Sequence, residues 1–152
     1  MLAAAAILSL VVDLSIGPLY VYPGYDTGAT VRGGFEIARA LRPDLALMLT
    51  GRAGATYAGQ WRPLYEAAAG LAWRERVDVH AGLRHDDRLR RDGPLADFRD
   101  PTGRMFFGAG VFPFSKGRFA AGATLDYEHA LPGTGRLPAS VGAAVVGRIR
   151  LR

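Results

Sequence analysis

The sequence predicts an all-β fold: a single up-and-down antiparallel β-barrel of about eight strands, spanning a membrane. Three observations carry this reading. Apolar residues alternate with polar or very small ones at a period of two, the signature of a strand with two unlike faces. Most alternating segments reach the roughly 9–11 residues that a tilted strand needs to cross a bilayer. The connections between them alternate between tight turns and longer stretches. The 152 residues suffice for one domain, and residues 1–152 are read as one barrel, with residues 1–6 as the remnant of an export signal.

The first strand places Leu8, Leu10, Val12, Leu14 and Ile16 on one face and Ser9, Val11, Asp13 and Ser15 on the other. The second sets Ala29, Val31, Gly33, Phe35 and Ile37 against Thr30, Arg32, Gly34, Glu36 and Ala38. The third sets Leu45, Leu47, Leu49, Ala53 and Tyr57 against Ala46, Met48, Thr50, Arg52 and Thr56. In the fourth, Tyr65, Ala67, Ala69, Leu71 and Trp73 oppose Glu66, Ala68, Gly70, Ala72 and Arg74.

The fifth strand opposes Val77, Val79, Ala81 and Leu83 to Asp78, His80, Gly82 and Arg84. The sixth, Met105 to Phe114, is aromatic on both parities, which leaves its facing open. The seventh sets Phe119, Ala121, Ala123, Leu125 and Tyr127 against Arg118, Gly122, Thr124, Asp126 and Glu128. The eighth sets Val141, Ala143, Val145, Ile149 and Leu151 against Ser140, Gly142, Ala144, Arg148 and Arg150. Within these strands nearly every charge keeps to one parity; Arg39, near a turn, is the exception.

Tight turns are expected at Leu41 to Asp44, Glu75-Arg76 and Ser115 to Gly117. Longer loops are expected at Pro18–Gly28, Ala58–Pro63, Asp86–Gly103 and His129–Pro138. Short turns on one side with long loops on the other is the construction of membrane barrels. An even strand count puts both termini on the short-turn side.

The polar face decides which side is lipid. A soluble, lipocalin-like carrier of an apolar ligand would also alternate, with its polar face in solvent. Here that face mixes charges with Gly34, Gly54, Ala68, Gly70, Gly82, Gly122 and Gly142, as a narrow lumen requires if an Arg is to extend. Turning it outward would put Arg32, Arg52 and Arg148 in lipid, at about 2–4 kcal/mol each near the midplane. The rings fall where two interfacial girdles would lie: Tyr20, Tyr22, Tyr57, Trp61 and Tyr65 toward the long loops, and Trp73, Phe114 and Phe119 toward the short turns.

Composition narrows the alternatives. The 20 glycines argue against long helices. The best helical candidate, from Leu2, meets Asp13 well short of the ~20 apolar residues of a span. Without cysteine there is no disulfide framework and no thiolate metal site. The formal charge of +5 invites nucleic acid, but the bases are dispersed among acids and never run beyond two, so no nucleic-acid partner is expected.

In strand number, loop alternation and charged inner face, almost the whole chain resembles the small bacterial outer-membrane barrels of the OmpA/OmpX type. The resemblance is one of architecture, not of a sequence motif, and it implies a fold and a bacterial outer-membrane location. Such chains close on an aromatic residue, whereas this one closes Arg148-Ile149-Arg150-Leu151-Arg152, so a piece of a larger barrel stays open as an alternative. The implied partner is the lipid bilayer, with lipopolysaccharide as a candidate and a loop-mediated partner of unknown identity.

Candidate chemistry concentrates in the lumen. The acids expected there are Asp13, Glu36, Glu66, Asp78, Asp126 and Glu128, and the bases Arg32, Arg52, Arg74, Arg84 and Arg148. Near-balance favours a network of ion pairs over a polar pore. Counting out from Glu75-Arg76 predicts the pairs Arg74–Asp78 and, diagonally, Glu66–Arg84. His80 would face the lumen beside Asp78, but no serine nucleophile accompanies it, and no catalytic residue is expected. The acids between Asp86 and Arg104 lack calcium-loop spacing and alternate with arginines, so that stretch reads as a solvated loop, with no metal and no cofactor. The function expected is structural or surface-interactive, with a small channel or transporter for polar solutes as the rival.

Overall fold

The computed structural model describes residues 6–20, 28–57, 61–89, 99–131 and 139–151. Their regular structure is all strand: β1 Ala6–Tyr20, β2 Gly28–Arg42, β3 Leu45–Tyr57, β4 Trp61–Trp73, β5 Val77–Leu89, β6 Arg99–Lys116, β7 Phe119–Ala130 and β8 Ser140–Leu151. Each pairs antiparallel with its neighbours in the chain, and β1 pairs with β8, so the sheet closes with eight strands. A closed ring has no unpaired edge, which is what a sheet in hydrocarbon requires.

The register fixes the shape. Partner by partner, Ala6 leads through Arg39, Leu47, Leu71, Val79, Ala109, Leu125 and Ala143 back to β1 at Ile16, ten residues further along. That stagger on eight strands tilts them by about 40° and leaves an interior that side chains fill.

The facing is inverted relative to a soluble protein. Phe35, Leu49, Val79, Leu83, Phe107, Leu125 and Val145 point outward and are exposed. Arg32, Glu66, Asp78, Arg84 and Asp126 point inward and are buried. This excludes the soluble carrier, which needs its apolar face inside. Among the described residues no helix is long and apolar enough to cross a membrane.

The structure corrects the sequence reading in several places. Pairing continues into the expected loops: β1 runs to Tyr20, and the ladder between β5 and β6 reaches Leu89 and Arg99. Half of the stretch read as a loop from Asp86 to Gly103, residues 86–89 and 99–103, is therefore hairpin stem, and 90–98 lie outside the described residues. Trp61 pairs with Tyr57, so the β3–β4 connection is only 58–60, not a long loop. Ala6, assigned to the export remnant, pairs with Arg39, while residues 1–5 lie outside the described ones.

The sixth strand was ambiguous because it carries a bulge. Val111 pairs with Ala123 but Phe114 with Ala121, one extra residue on β6. The extra residue reverses the parity, so Phe112 is buried in the lumen while Phe114, two positions on, faces outward.

The β4–β5 turn is also displaced. It centres on Arg74 and Glu75, both at positive φ (50° and 57°), with Arg76 N–H donating to the Trp73 carbonyl at 3.0 Å. The Arg76 carbonyl accepts from Phe112 N–H at 2.7 Å, which draws Arg76 out of the β4–β5 ladder. The register therefore moves by two residues: Asp78 faces Ala72, and Glu66 stands directly opposite Arg84.

Candidate functional site

Alternation along each strand turns every second side chain inward, and most of the charged ones lie at these positions. Seven strands contribute to a single ion-pair cluster in the lumen. Glu66 of β4 lies at its centre on one side, with Arg84 Nη2 at 2.6 Å, Arg32 Nη1 at 2.7 Å and Arg52 Nη1 at 3.4 Å. Arg84 of β5 also donates to Asp126 at 3.1 Å and to Glu128. Glu128 of β7 is in addition met by Arg104 of β6 and by the Ser140 hydroxyl of β8, each at 3.4 Å.

Asp126 connects this group to a second one. Its Oδ1 is 3.0 Å from His80 Nε2, and His80 Nδ1 is 2.9 Å from Asp78 Oδ1. Asp78 accepts from Arg148 Nη2 at 2.5 Å, and the same nitrogen is 3.2 Å from Glu36. Arginines and carboxylates alternate on both sides of His80, which bridges Asp126 and Asp78, and such alternation is how buried ions are kept tolerable.

The rest of the lumen makes room for these groups. A Cβ at Gly108 would fall on both Asp126 Oδ1 and His80 Nε2, so only glycine leaves the gap that pair occupies. Phe106 and Phe112 lie fully buried among the charges; the guanidinium of Arg84 sits 4.6 Å from the centroid of Phe106, and that of Arg148 sits 3.7 Å from that of Phe112. These are cation–π contacts, which supplement carboxylate pairing for a desolvated arginine. Toward the short turns the lumen opens into a cavity of about 120 Å³ whose wall includes Glu36, Met48, Ala72 and Arg148.

Of the expected lumen charges, Arg32, Glu36, Arg52, Glu66, Asp78, Arg84, Asp126, Glu128 and Arg148 meet in this cluster. Asp13 is opposite Arg32 in the β1–β2 ladder, its side chain lying outside the described residues. Arg74 does not belong: in the turn it is exposed, with its guanidinium 5.2 Å from the Trp73 ring centroid, and the Arg74–Asp78 pair is not formed. The reason is the displaced turn, which gives Asp78 to Arg148 and His80 instead. Glu66–Arg84 forms, directly rather than diagonally.

Sequence reasoning missed Arg104 and Arg62, both buried inward-facing residues that had been placed in loops. Continuing the even parity beyond the expected strand ends would have found them. It also missed Phe106 and Phe112, whose signal was the doubly aromatic sixth strand.

Of the expected girdle residues, Tyr57, Trp61, Tyr65, Trp73, Phe114 and Phe119 are exposed on the outer wall. Trp73 Nε1–H also donates to Asp44 at 3.1 Å, tying two short turns together. The side chain of Tyr20 and the whole of Tyr22 lie outside the described residues.

No protein-family model and no curated protein matches the chain. Solved structures do. The N-terminal β-barrel domain of Pseudomonas aeruginosa OprF is similar at a TM-score of 0.63 and 16% identity, over 98% of this chain and 100% of that one. Ail, the attachment invasion locus protein of Yersinia pestis, is similar at 0.58 and 15%, over 99% and 100%. The fold is that of a small outer-membrane β-barrel. Eight strands, a closed ring, an apolar belt outside and charge inside make this chain a transmembrane member of that architecture, the one bacterial outer membranes use.

Proposed function

We propose that the chain is a non-enzymatic outer-membrane barrel whose lumen is plugged by charged side chains, and whose long connections face outward in a structural or surface-recognition role. The observation that carries this is the continuity of the ion-pair path from Arg104 and Ser140 through Arg84, Asp126 and His80 to Arg148 and Glu36. In an eight-stranded barrel the interior holds side chains and little else, so a cluster tied to seven strands acts as a plug. Catalysis finds no support in it: both ring nitrogens of His80 are engaged by carboxylates, and the Ser140 hydroxyl is engaged by Glu128.

The connections 21–27, 90–98 and 131–139 then supply the outward surface, with lipopolysaccharide as neighbour to the rim formed by Tyr57, Trp61 and Tyr65. Ail bears attachment in its name, and a loop-borne role of that kind suits a barrel whose interior is closed. The test is solute uptake. Liposomes containing the folded barrel should swell in small polar solutes no faster than empty ones. Solute-dependent swelling would favour the channel.

A further inference from the structure

The charge of this chain is concentrated at one end. Around the short turns, Arg39 and Arg42 close β2, Arg74 and Arg76 lie in the β4–β5 turn, Lys116 and Arg118 border Gly117 between β6 and β7, and Arg150 closes β8. The acids among them are Asp44 and Glu75. Among the described residues that is seven bases against two acids, an excess of five, which equals the formal net charge of the whole sequence, +5. The rest of the chain is thus neutral, and the short-turn rim is a cationic ring beside the aromatic girdle.

One sector of that rim has a groove beneath it. The bulge in β6 turns Phe114 outward, where it is 74% exposed, and Phe119 stands nearby at 63%. Together with Val12, Ala121, Gly147 and Lys116 they line a groove of about 360 Å³ on the outer wall. Its lining is almost wholly apolar; Lys116, at the end of β6, borders it, and the exposed Arg118 follows in the same turn. An acyl chain fits the lining, and a phosphate fits the two bases.

We propose that this groove is a binding site for one anionic phospholipid, with an acyl chain lying between Phe114 and Phe119 over Gly147 and the phosphate held by Lys116 and Arg118. Charge complementarity selects the occupant: the rim attracts anionic headgroups in general, and the groove localises one of them. The assignment rests on the transmembrane reading, and with the long loops outside, the leaflet concerned is the periplasmic one.

Native mass spectrometry of the full chain, released from micelles doped with phosphatidylglycerol or phosphatidylcholine, tests this. One phosphatidylglycerol should be retained in preference to phosphatidylcholine, and Lys116→Gln/Arg118→Gln should lower its retention by about tenfold or more, since each base near the surface contributes on the order of fivefold. Gly147→Leu should lower retention with the charge unchanged; a Cβ there meets only the Val12 carbonyl oxygen, at 3.7 Å, an ordinary contact, and the rest of the side chain occupies the groove that Gly147 lines. Arg39→Gln/Arg42→Gln, elsewhere on the rim, should leave retention unchanged. Equal retention of the two lipids, an equal loss in both double variants, or no effect of Gly147→Leu would overturn the site. Protease protection of each variant in vesicles is scored separately, so failure to insert, which would strike the transmembrane reading itself, is told apart from lost lipid binding.

Discussion

Glu66 and Arg84 stand directly opposite each other on β4 and β5, and two nitrogens of Arg84 donate to one oxygen of Glu66, at 2.6 and 2.9 Å. Both side chains are buried. Removing either partner unbalances the charge around it, although Arg84 keeps Asp126 and Glu128, and Glu66 keeps Arg32 and Arg52; the cost is therefore at or below the ~3–5 kcal/mol of a fully orphaned buried ion, and removing both restores the balance of the cluster. We expect Glu66→Gln and Arg84→Met each to destabilise the barrel, and the double variant to be less destabilised than the sum. Urea titration in lipid vesicles, arranged as a double-mutant cycle, measures the coupling. A coupling near zero would mean a wet, wide lumen.

Gly108 gives a steric test of the same cluster. Gly108→Ala forces a methyl group onto the His80–Asp126 contact and should cost about 1–3 kcal/mol, as overpacking does. Gly51→Ala is the control, because a Cβ there meets nothing within 4 Å. It should be neutral within about 0.5 kcal/mol. Equal effects in equilibrium unfolding would contradict the facing assigned to β6.

The outer wall should respond by depth. Leu49, in the body of β3, and Leu41, at the end of β2, are both exposed at 54%. Arginine at Leu49 should cost about 2–4 kcal/mol, and at Leu41 about 0–1 kcal/mol, since one meets hydrocarbon and the other the interface. Equal costs in vesicle-based unfolding would speak against an embedded β3.

How far the sequence carried these residues depends on what encodes them. Leu49 and Glu66 were legible because strand parity is local: a side chain's face follows from counting by two. The ring of eight followed from the alternating connections. Register across a turn is different, because it depends on which residues take positive φ. Arg74 and Glu75 have no glycine or asparagine to announce that, and the deciding bond, Phe112 N–H to the Arg76 carbonyl, comes from a third strand. Hence Asp78 was assigned the wrong arginine. Phe112 itself was hidden by a bulge that period-two counting passes over. Arg104 was hidden by acids and bases that read as a solvated loop and proved to adjoin a hairpin stem.

That turn offers a gain of stability. Non-glycine residues in the left-handed region cost roughly 1–2 kcal/mol each. Arg74→Asn/Glu75→Gly supplies the pair a type I′ turn prefers. We expect the double variant to unfold at higher urea, with the gain partly offset by losing the exposed Arg150–Glu75 pair, which contributes little. An unchanged or lower midpoint would argue against the turn geometry.

Whether ion pairs close the lumen is read most directly from the steady conductance of the folded, unmodified chain in a planar lipid bilayer. A plugged barrel on insertion produces no steady conductance above that of the bare membrane, and Arg84→Ala, which removes the partner shared by Glu66, Asp126 and Glu128, produces an open, ohmic current. A steady ohmic current from the unmodified chain would contradict the plug and establish the channel in its place.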